Sequence, residues 1–393
     1  MLHDVTVIGG GPAGGYAASL LAAAGHRVLV LEQRQAEAVA PRCTGVVGVL
    51  YPGLVGVDRD VIVAQARSTT LISPSGRRLR VSSADVQAYV LDRALLERRL
   101  RCSAVAAGAE VREGIVVSRI TRYGDGFEVR GLCEGKVERY ACRSLVLASG
   151  VSPGLSRQVG IAAPRRYMVG ANAEVKMDGV PEPELYFLPD LSPGAFAWLV
   201  PIGPGQVRVG VLSSVSAAGL ARIFLDRPDV KARLAQSPDS IVQRPVPISV
   251  PRRTFARGVV AVGDAAGQVK PTTGGGLYFG ASAARAAANV LGRALEDDDL
   301  SSSALSAYER CWKSAFGREL RLGALARGIY ARLSPAQVDR IITHAERTGL
   351  ADALLSSPSF SFDLHSATLL TGLFRSVPAL ILGQSPAVRG AAE

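Results

Sequence analysis

Apolar runs and small-residue breaks alternate through the first part of the chain in the rhythm of a strand–helix–strand unit. Val5-Thr6-Val7-Ile8 gives way to Gly9-Gly10-Gly11-Pro12-Ala13-Gly14, a stretch of small residues follows, and Val28-Leu29-Val30-Leu31 closes at Glu32. Short apolar runs ending in glycine predict buried strands, and the small residues between them predict a helix packed closely on the sheet. Two later segments return to the same pattern: Ser144 to Gly150, and Gly258 to Gly267, which runs through a glycine-rich turn into a helix expected over residues 277–295. Between them the pattern predicts a helix over 91–100 and strands over 110–117 and 127–129. Residues 168–213 alternate apolar and polar positions with Pro and Gly punctuation, as antiparallel strands do. After an acidic, serine-rich link at 296–303, helices are expected over 304–333 and 335–355. The chain thus reads as α/β in three parts: 1–160 completed by 252–300, an antiparallel-sheet region over 161–251, and a helical region over 301–393.

The first glycine cluster sits in the setting of a dinucleotide-binding fingerprint. Gly9 permits a tight turn, Gly11 lets backbone approach a pyrophosphate, and Gly14 allows close helix–strand packing. The helix start offers N–H groups to phosphate, and Glu32 is placed to accept from ribose hydroxyls. Gly263-Asp264 ends another buried strand, where a carboxylate can bond the ribityl hydroxyls of a flavin. Gln268 to Leu277 then opens a helix with Gly274, Gly275 and Gly276. These glycines admit a flavin ring, and the helix start favours negative charge at its N1/C2 edge.

Composition narrows the partners. The chain has 393 residues, 48% of them hydrophobic and 20% charged, as a two- or three-domain globular enzyme does. Five scattered cysteines make neither a metal-ligand pattern nor a disulfide framework, so no metal is expected and a reduced, cytoplasmic setting is the default. No secretory signal is expected ahead of the fingerprint. The most apolar tail segment, 368–383, is short for a membrane span and is interrupted by Arg375 and Pro378. A net charge of +11 without a nucleic-acid module leaves two readings open: a solvated basic surface, or attraction to an anionic cofactor, head group or membrane leaflet.

Taken together, the first fingerprint, Pro41-Arg42-Cys43-Thr44-Gly45, Arg93, and Gly263 through Gly276 resemble the geranylgeranyl reductase family, flavoproteins of the p-hydroxybenzoate-hydroxylase-like fold. The resemblance covers roughly residues 2–295 and suggests a digeranylgeranylglycerophospholipid reductase-like chain. It implies a Rossmann-like FAD-binding domain, an antiparallel-sheet substrate domain and a helical C-terminal region. By motif position it implies FAD lined by Gly9, Gly11, Ala13, Gly14, Glu32, Arg42, Cys43, Thr44, Gly45, Arg93, Val117, Asp264, Gly274, Gly275, Gly276 and Leu277. Leu185-Tyr186-Phe187-Leu188-Pro189 and Phe196-Ala197-Trp198-Leu199-Val200-Pro201 look like the family's aromatic motif, in which Tyr186 and Trp198 wall an isoprenoid tunnel; the alternative is that they are core residues of a sheet. Cys43 is either a proton donor beside the flavin or a small packing residue.

The activity implied is FAD-dependent saturation of carbon–carbon double bonds in geranylgeranyl chains of a membrane lipid, quinone or chlorophyll precursor, with peripheral membrane contact. Relatives of the wider fold often carry Asp-Gly where this chain has Ser149-Gly150, and there is no second dinucleotide fingerprint. The electron donor therefore stays open between NADPH and reduced ferredoxin. The rival enzyme class is a flavin monooxygenase or halogenase of the same fold; a halogenase's lysine has no counterpart, since Gly76-Arg77-Arg78 offers only arginine. A non-catalytic flavin-binding sensor is a third reading.

Overall fold

Val5, Val7, Val28, Val30 and Val146 turn to one face of a sheet, and Ile8, Leu29, Leu31, Leu145 and Leu147 to the other. Both faces are apolar, so both must be covered, which is the condition of a buried parallel sheet. In the computed structural model, which describes residues 2–35, 43–357 and 360–376, strand Leu2–Ile8 lies between Lys136–Leu147 and Val28–Glu32, all parallel. Glu110–Glu113 extends one side and Val259–Ala261 the other, also in parallel. Helices Pro12–Ala23, Arg93–Ala106 and Leu277–Glu296 cover the valine face with Ala17, Leu21, Leu96, Leu100, Ala284 and Leu291. The meander Val116–Tyr123, Gly126–Cys133 and the start of Lys136–Leu147 covers the other with Ile120, Phe127 and Val129.

A second sheet, antiparallel except for one pair, runs in the order Leu234–Gln236, Tyr167–Met177, Gln206–Ser213, Phe196–Gly203, Glu184–Phe187, Ser68–Ile72, Arg78–Ser82, with Val242–Pro247 also on Tyr167–Met177. Two of its strands come from before residue 100, because Glu184–Phe187 pairs in parallel with Ser68–Ile72 and thereby loses an exposed edge. One face is sealed by helix Ala217–Leu225 through Phe224 and Leu220. A small three-stranded sheet, Val46–Gly48, Ala88–Leu91 and Ile62–Ala66, joins the two halves of the molecule.

Element boundaries shift where capping chemistry decides. The helix expected over 91–100 starts at Arg93, because Leu91 ends a strand and the Asp92 carboxylate caps Ala94 and Leu95. The strand expected over 110–117 breaks at Gly114, whose φ of 76° turns the chain, and resumes as Val116–Tyr123. The 127–129 strand grows to Gly126–Cys133 through its hairpin partners. In the tail, Ser302–Trp312 and Arg318–Tyr330 are joined by a π turn, Lys313–Gly317. Pro335–Thr348 opens with a Ser334/Gln337 capping box and ends at left-handed Gly349, which separates it from Leu350–Leu355. Helix Ser366–Arg375 packs on Arg318–Tyr330. Among the described residues, no helix is long and apolar enough to cross a membrane, and no His, Cys, Asp and Glu cluster is built to hold a metal.

Within the second sheet, the large antiparallel one, Glu184 is 3% exposed and accepts a forked bond from Arg233, at 2.9 Å on each oxygen, and the Tyr186 hydroxyl at 2.7 Å. Burial works against the charge, but Arg233 and Tyr186 outweigh it and hold the carboxyl below its usual range. A carboxyl depressed by folding adds stability above its unfolded value of about 4.3, and that stability is lost as pH falls through the folded value. Glu184→Gln is expected to lower stability near neutral pH by about 1.5–3 kcal/mol and to flatten the acid limb. Urea unfolding of both chains between pH 3 and pH 7 measures this.

Candidate cofactor and substrate site

The first glycines do two different jobs. At Gly9, with φ of 102°, a Cβ would lie 2.4 Å from the Ala148 carbonyl oxygen; at Gly14 it would lie 1.9 Å from that of Gly9. Both are glycines because backbone meets backbone. At Gly11 a Cβ would meet nothing within 4 Å, and the backbone, φ −67° and ψ −178°, suits any residue. The helix it opens has no side-chain cap, so its N–H groups face that open space. Such a cradle fits a pyrophosphate. A Cβ at Gly263 would lie 3.4 Å from the Ala13 Cβ, so the Gly263-Asp264 turn sits beside this helix start.

Glu32 accepts the Gly10 N–H at 2.6 Å and is bonded by Arg34, whose guanidinium also reaches Glu97 at 2.9 Å. Glu97 in turn holds Arg93 at 2.6 Å. A ladder of alternating charge thus runs from the Glu32 strand end to Arg93. Arg34 and Glu97 are additions to the sequence reading; the i,i+4 spacing of Arg93 and Glu97 is the signal that was there to find. The Arg93 Nε and the Ser149 Oγ are buried with no hydrogen-bond partner among the described residues. Val117 sits at the margin of the cluster holding Leu29 and Leu31, next to Ile115, whose N–H donates to the Glu32 carbonyl. Arg42 lies outside the described residues.

Asp264 follows strand Val259–Ala261 in a tight turn held by Gln268, which accepts the Gly263 N–H and donates to Tyr308. Its carboxylate has no hydrogen-bond partner among the described residues, and its Oδ1 lies 3.1 Å from where a Gly276 Cβ would be. Gly276 opens helix Leu277–Glu296 without a side-chain cap. Gly274, at φ 77°, lies against Val246 and Leu212, and Gly275 against the Lys270 stem. Uncapped helix starts at Gly11 and Gly276, the free Asp264 carboxylate and the orphaned Arg93 and Ser149 atoms fit an FAD laid between them.

The loop over 268–276 is buttressed by the tail, which the sequence did not disclose. Lys270, 1% exposed, donates to the Phe362 carbonyl at 2.6 Å and lies over the Phe362 ring. Burial pushes its ammonium down, with Asp363 and Glu319 opposing. Thr272 is held by His365 at 3.1 Å, and its carbonyl by Arg327 at 3.2 Å. Arg327, pushed down to about 10 by burial, also bonds the Gly194 carbonyl and lies over the Phe196 ring.

Cys43 is partly buried, and the Gly45 N–H lies 3.4 Å from its Sγ. Burial alone would raise the thiol, but Arg93 and Arg244 bring it below its ordinary value. Arg93 and Asp264 both act on Cys43 electrostatically, so three of the expected cofactor residues converge there. Gly45 has φ of 78°, and a Cβ there would lie 2.8 Å from the Leu91 carbonyl oxygen.

Trp198 and Tyr186 part company. Trp198 joins Phe196, Leu212, Val246, Leu185 and Met168 in one cluster, lies over Gly210, and donates Nε1–H to Thr44 Oγ1 at 2.7 Å. Tyr186 pairs with Ala197, one residue out of phase, and so points through the opposite face. It is 1% exposed, meets Phe224 edge-on at 4.9 Å, and has its hydroxyl pushed up to about 12 by burial and by Glu184. The expectation that Tyr186 walls a tunnel with Trp198 is corrected: it is a core residue under helix Ala217–Leu225. Phe196 lies on the Trp198 side of the sheet, tilted against its ring at 5.4 Å.

Two variants test this geometry. Gly11→Val leaves the fold unstrained but fills the cradle, so FAD affinity should fall at least about tenfold with the melting temperature of the cofactor-free protein unchanged; flavin titration and thermal unfolding read the two effects. Gly210→Ala puts a methyl about where the Trp198 ring lies, at 2.1 Å from Cε2 and Cζ2. It should displace the indole from Thr44, cost about 1–3 kcal/mol, and shift an emission component that Trp198→Phe lacks.

The chain is similar to several known proteins. A family model described as "FAD binding domain" matches residues 3–315. Digeranylgeranylglycerophospholipid reductases 1 and 2 of Methanopyrus kandleri are 34% and 32% identical, over 80% and 88% of this chain and 87% and 91% of their own. A geranylgeranyl bacteriochlorophyll reductase-like protein of Thermoplasma acidophilum superposes with a TM-score of 0.84 at 22% identity, covering 97% of this chain and 98% of its own. The flavin-dependent brominase Bmp2 shares the fold, with a TM-score of 0.67 at 18% identity over 96% of this chain and 94% of its own. The chain belongs to the FAD-binding family and, within it, to the digeranylgeranylglycerophospholipid reductases.

Proposed function

We infer that this protein is an FAD-dependent reductase that saturates carbon–carbon double bonds in the geranylgeranyl chains of a membrane lipid. The observation that carries the reading is the likeness, over four-fifths or more of the chain, to reductases named for that substrate. FAD, when bound, supplies the hydride. The chain's own residues do the rest: Gly11, Glu32, Arg93, Asp264 and the Gly274–Gly276 loop hold the cofactor, and Trp198 and Phe196 present a rigid apolar wall to the isoprenoid. Cys43 holds a proton at Sγ, made more acidic by Arg93 and Arg244, and gives it to the alkene carbon opposite the one that takes hydride. The aromatic wall keeps water from that step.

Peripheral contact with the lipid surface belongs to the same reading. Leu325, Leu369 and Phe374 are exposed on the packed helices Arg318–Tyr330 and Ser366–Arg375, with Arg318, Arg321 and Arg375 exposed beside them. Apolar side chains flanked by arginines suit an anionic leaflet.

The deciding experiment gives dithionite-reduced, FAD-loaded protein a digeranylgeranyl phospholipid in vesicles under anaerobic conditions. Dithionite stands in for NADPH or reduced ferredoxin. The expected products gain two hydrogens per bond saturated, both appearing as deuterium in deuterated water because dithionite supplies electrons alone, and the protein sediments with the vesicles. Turnover only after oxygen is admitted, with oxygen or halogen in the product, would overturn the reading in favour of a monooxygenase or halogenase.

A further inference from the structure

The turn carrying Cys43 is gripped from the large sheet through the next residue, Thr44. The Thr44 hydroxyl donates to Asn172 Oδ1 at 2.8 Å and accepts from Trp198 Nε1 at 2.7 Å. Its carbonyl accepts from Arg208 at 2.9 Å, and the same nitrogen donates to the Leu91 carbonyl at 2.8 Å. Arg208 is oriented by Glu174, which accepts its Nε–H at 2.8 Å. These groups share one face: Asn172 pairs with Gly210, Gly210 with Trp198, and Glu174 with Arg208. Thr44, Asn172 and Arg208 are each buried, at 7–8% exposure. A buried arginine with a single, partly exposed carboxylate partner is a poor source of stability, because an apolar side chain of similar size would serve as well. Its two carbonyl acceptors belong instead to the Cys43 turn and to the strand end just before Arg93. The turn between them is tight, since Gly45 has no room for a Cβ.

We propose that Asn172 and Arg208 are positioning residues that hold Thr44 on the sheet and so aim Cys43 at the carbon to be protonated. The inference rests on the reading of Cys43 as proton source. The arrangement joins the acid to the wall: the indole that faces the isoprenoid and the turn that carries the thiol share one hydroxyl. Sheet and thiol therefore move as one body.

The test uses the full chain loaded with FAD and follows alkylation of Cys43 by iodoacetamide across pH, resolved by peptide mass so that the other four cysteines serve as references. In Arg208→Gln, Asn172→Ala and Thr44→Val, the thiol loses its fixed place between Arg93 and Arg244. Its alkylation profile should move up by roughly one pH unit, about a tenfold fall in thiolate at a given pH. The kcat for double-bond saturation should fall about tenfold or more with KM within about twofold, and Arg208→Lys should recover part of both. Thr44→Val keeps the side-chain shape and decides the matter if Arg208→Gln fails to fold. Folded, FAD-loaded variants with the wild-type alkylation profile and kcat would overturn the proposal and leave the reading of Cys43 standing. A Cys43→Ser enzyme with wild-type kcat would overturn that reading, and the positioning role with it.

Discussion

The near-contact of Gly14 with the Gly9 carbonyl is the constraint on which the site is built. With a Cβ at 1.9 Å from that oxygen excluded, helix Pro12–Ala23 lies directly on the end of strand Leu2–Ile8. That placement points the helix start into the crevice at the strand ends, where a parallel sheet offers its binding position. A side chain at Gly263 would touch Ala13, so the second turn, with Asp264, lies beside the first. The charge ladder from Glu32 to Arg93 fixes the remaining side. Cofactor geometry in this chain follows from backbone packed on backbone, with side chains added afterwards.

The large sheet contributes by alternation. Its one face is closed by Phe224 and Leu220, and its other carries Phe196, Trp198, Asn172 and Arg208 toward the cofactor half. A single-residue difference in phase sends Tyr186 into the first set and Trp198 into the second. Aromatic composition alone cannot separate the two, since both residues are large and set between apolar neighbours. The hydrogen-bond partners separate them: Glu184 and Arg233 for one, Thr44 for the other.

What the sequence disclosed was local. Gly9, Gly11, Gly14, Glu32 and the Gly263-Asp264 turn are legible because their spacing follows from one turn and one helix start. Helix and strand ends moved where a cap or a left-handed glycine decided, as at Asp92, Gly114 and Gly349. Asn172 and Arg208 were silent: a lone polar residue in a strand looks like a solvated position until its partner, 128 or 164 residues away, is known. The parallel pairing of Ser68–Ile72 with Glu184–Phe187 was silent for the same reason. Contacts of that separation leave no periodicity in either segment.

The lysine behind the glycine loop carries a consequence for the order in which the protein is made. Lys270 loses its water only when Phe362 supplies a carbonyl and a ring, and Thr272 is pinned only by Arg327 and His365. The partners of this loop thus leave a ribosome well after the loop itself. Until they emerge, a hydrated ammonium sits where the finished protein is dry, and the loop cannot settle. The nascent chain can complete its first strand, helix and charge ladder early, yet it reaches a finished flavin cradle only after His365 has emerged.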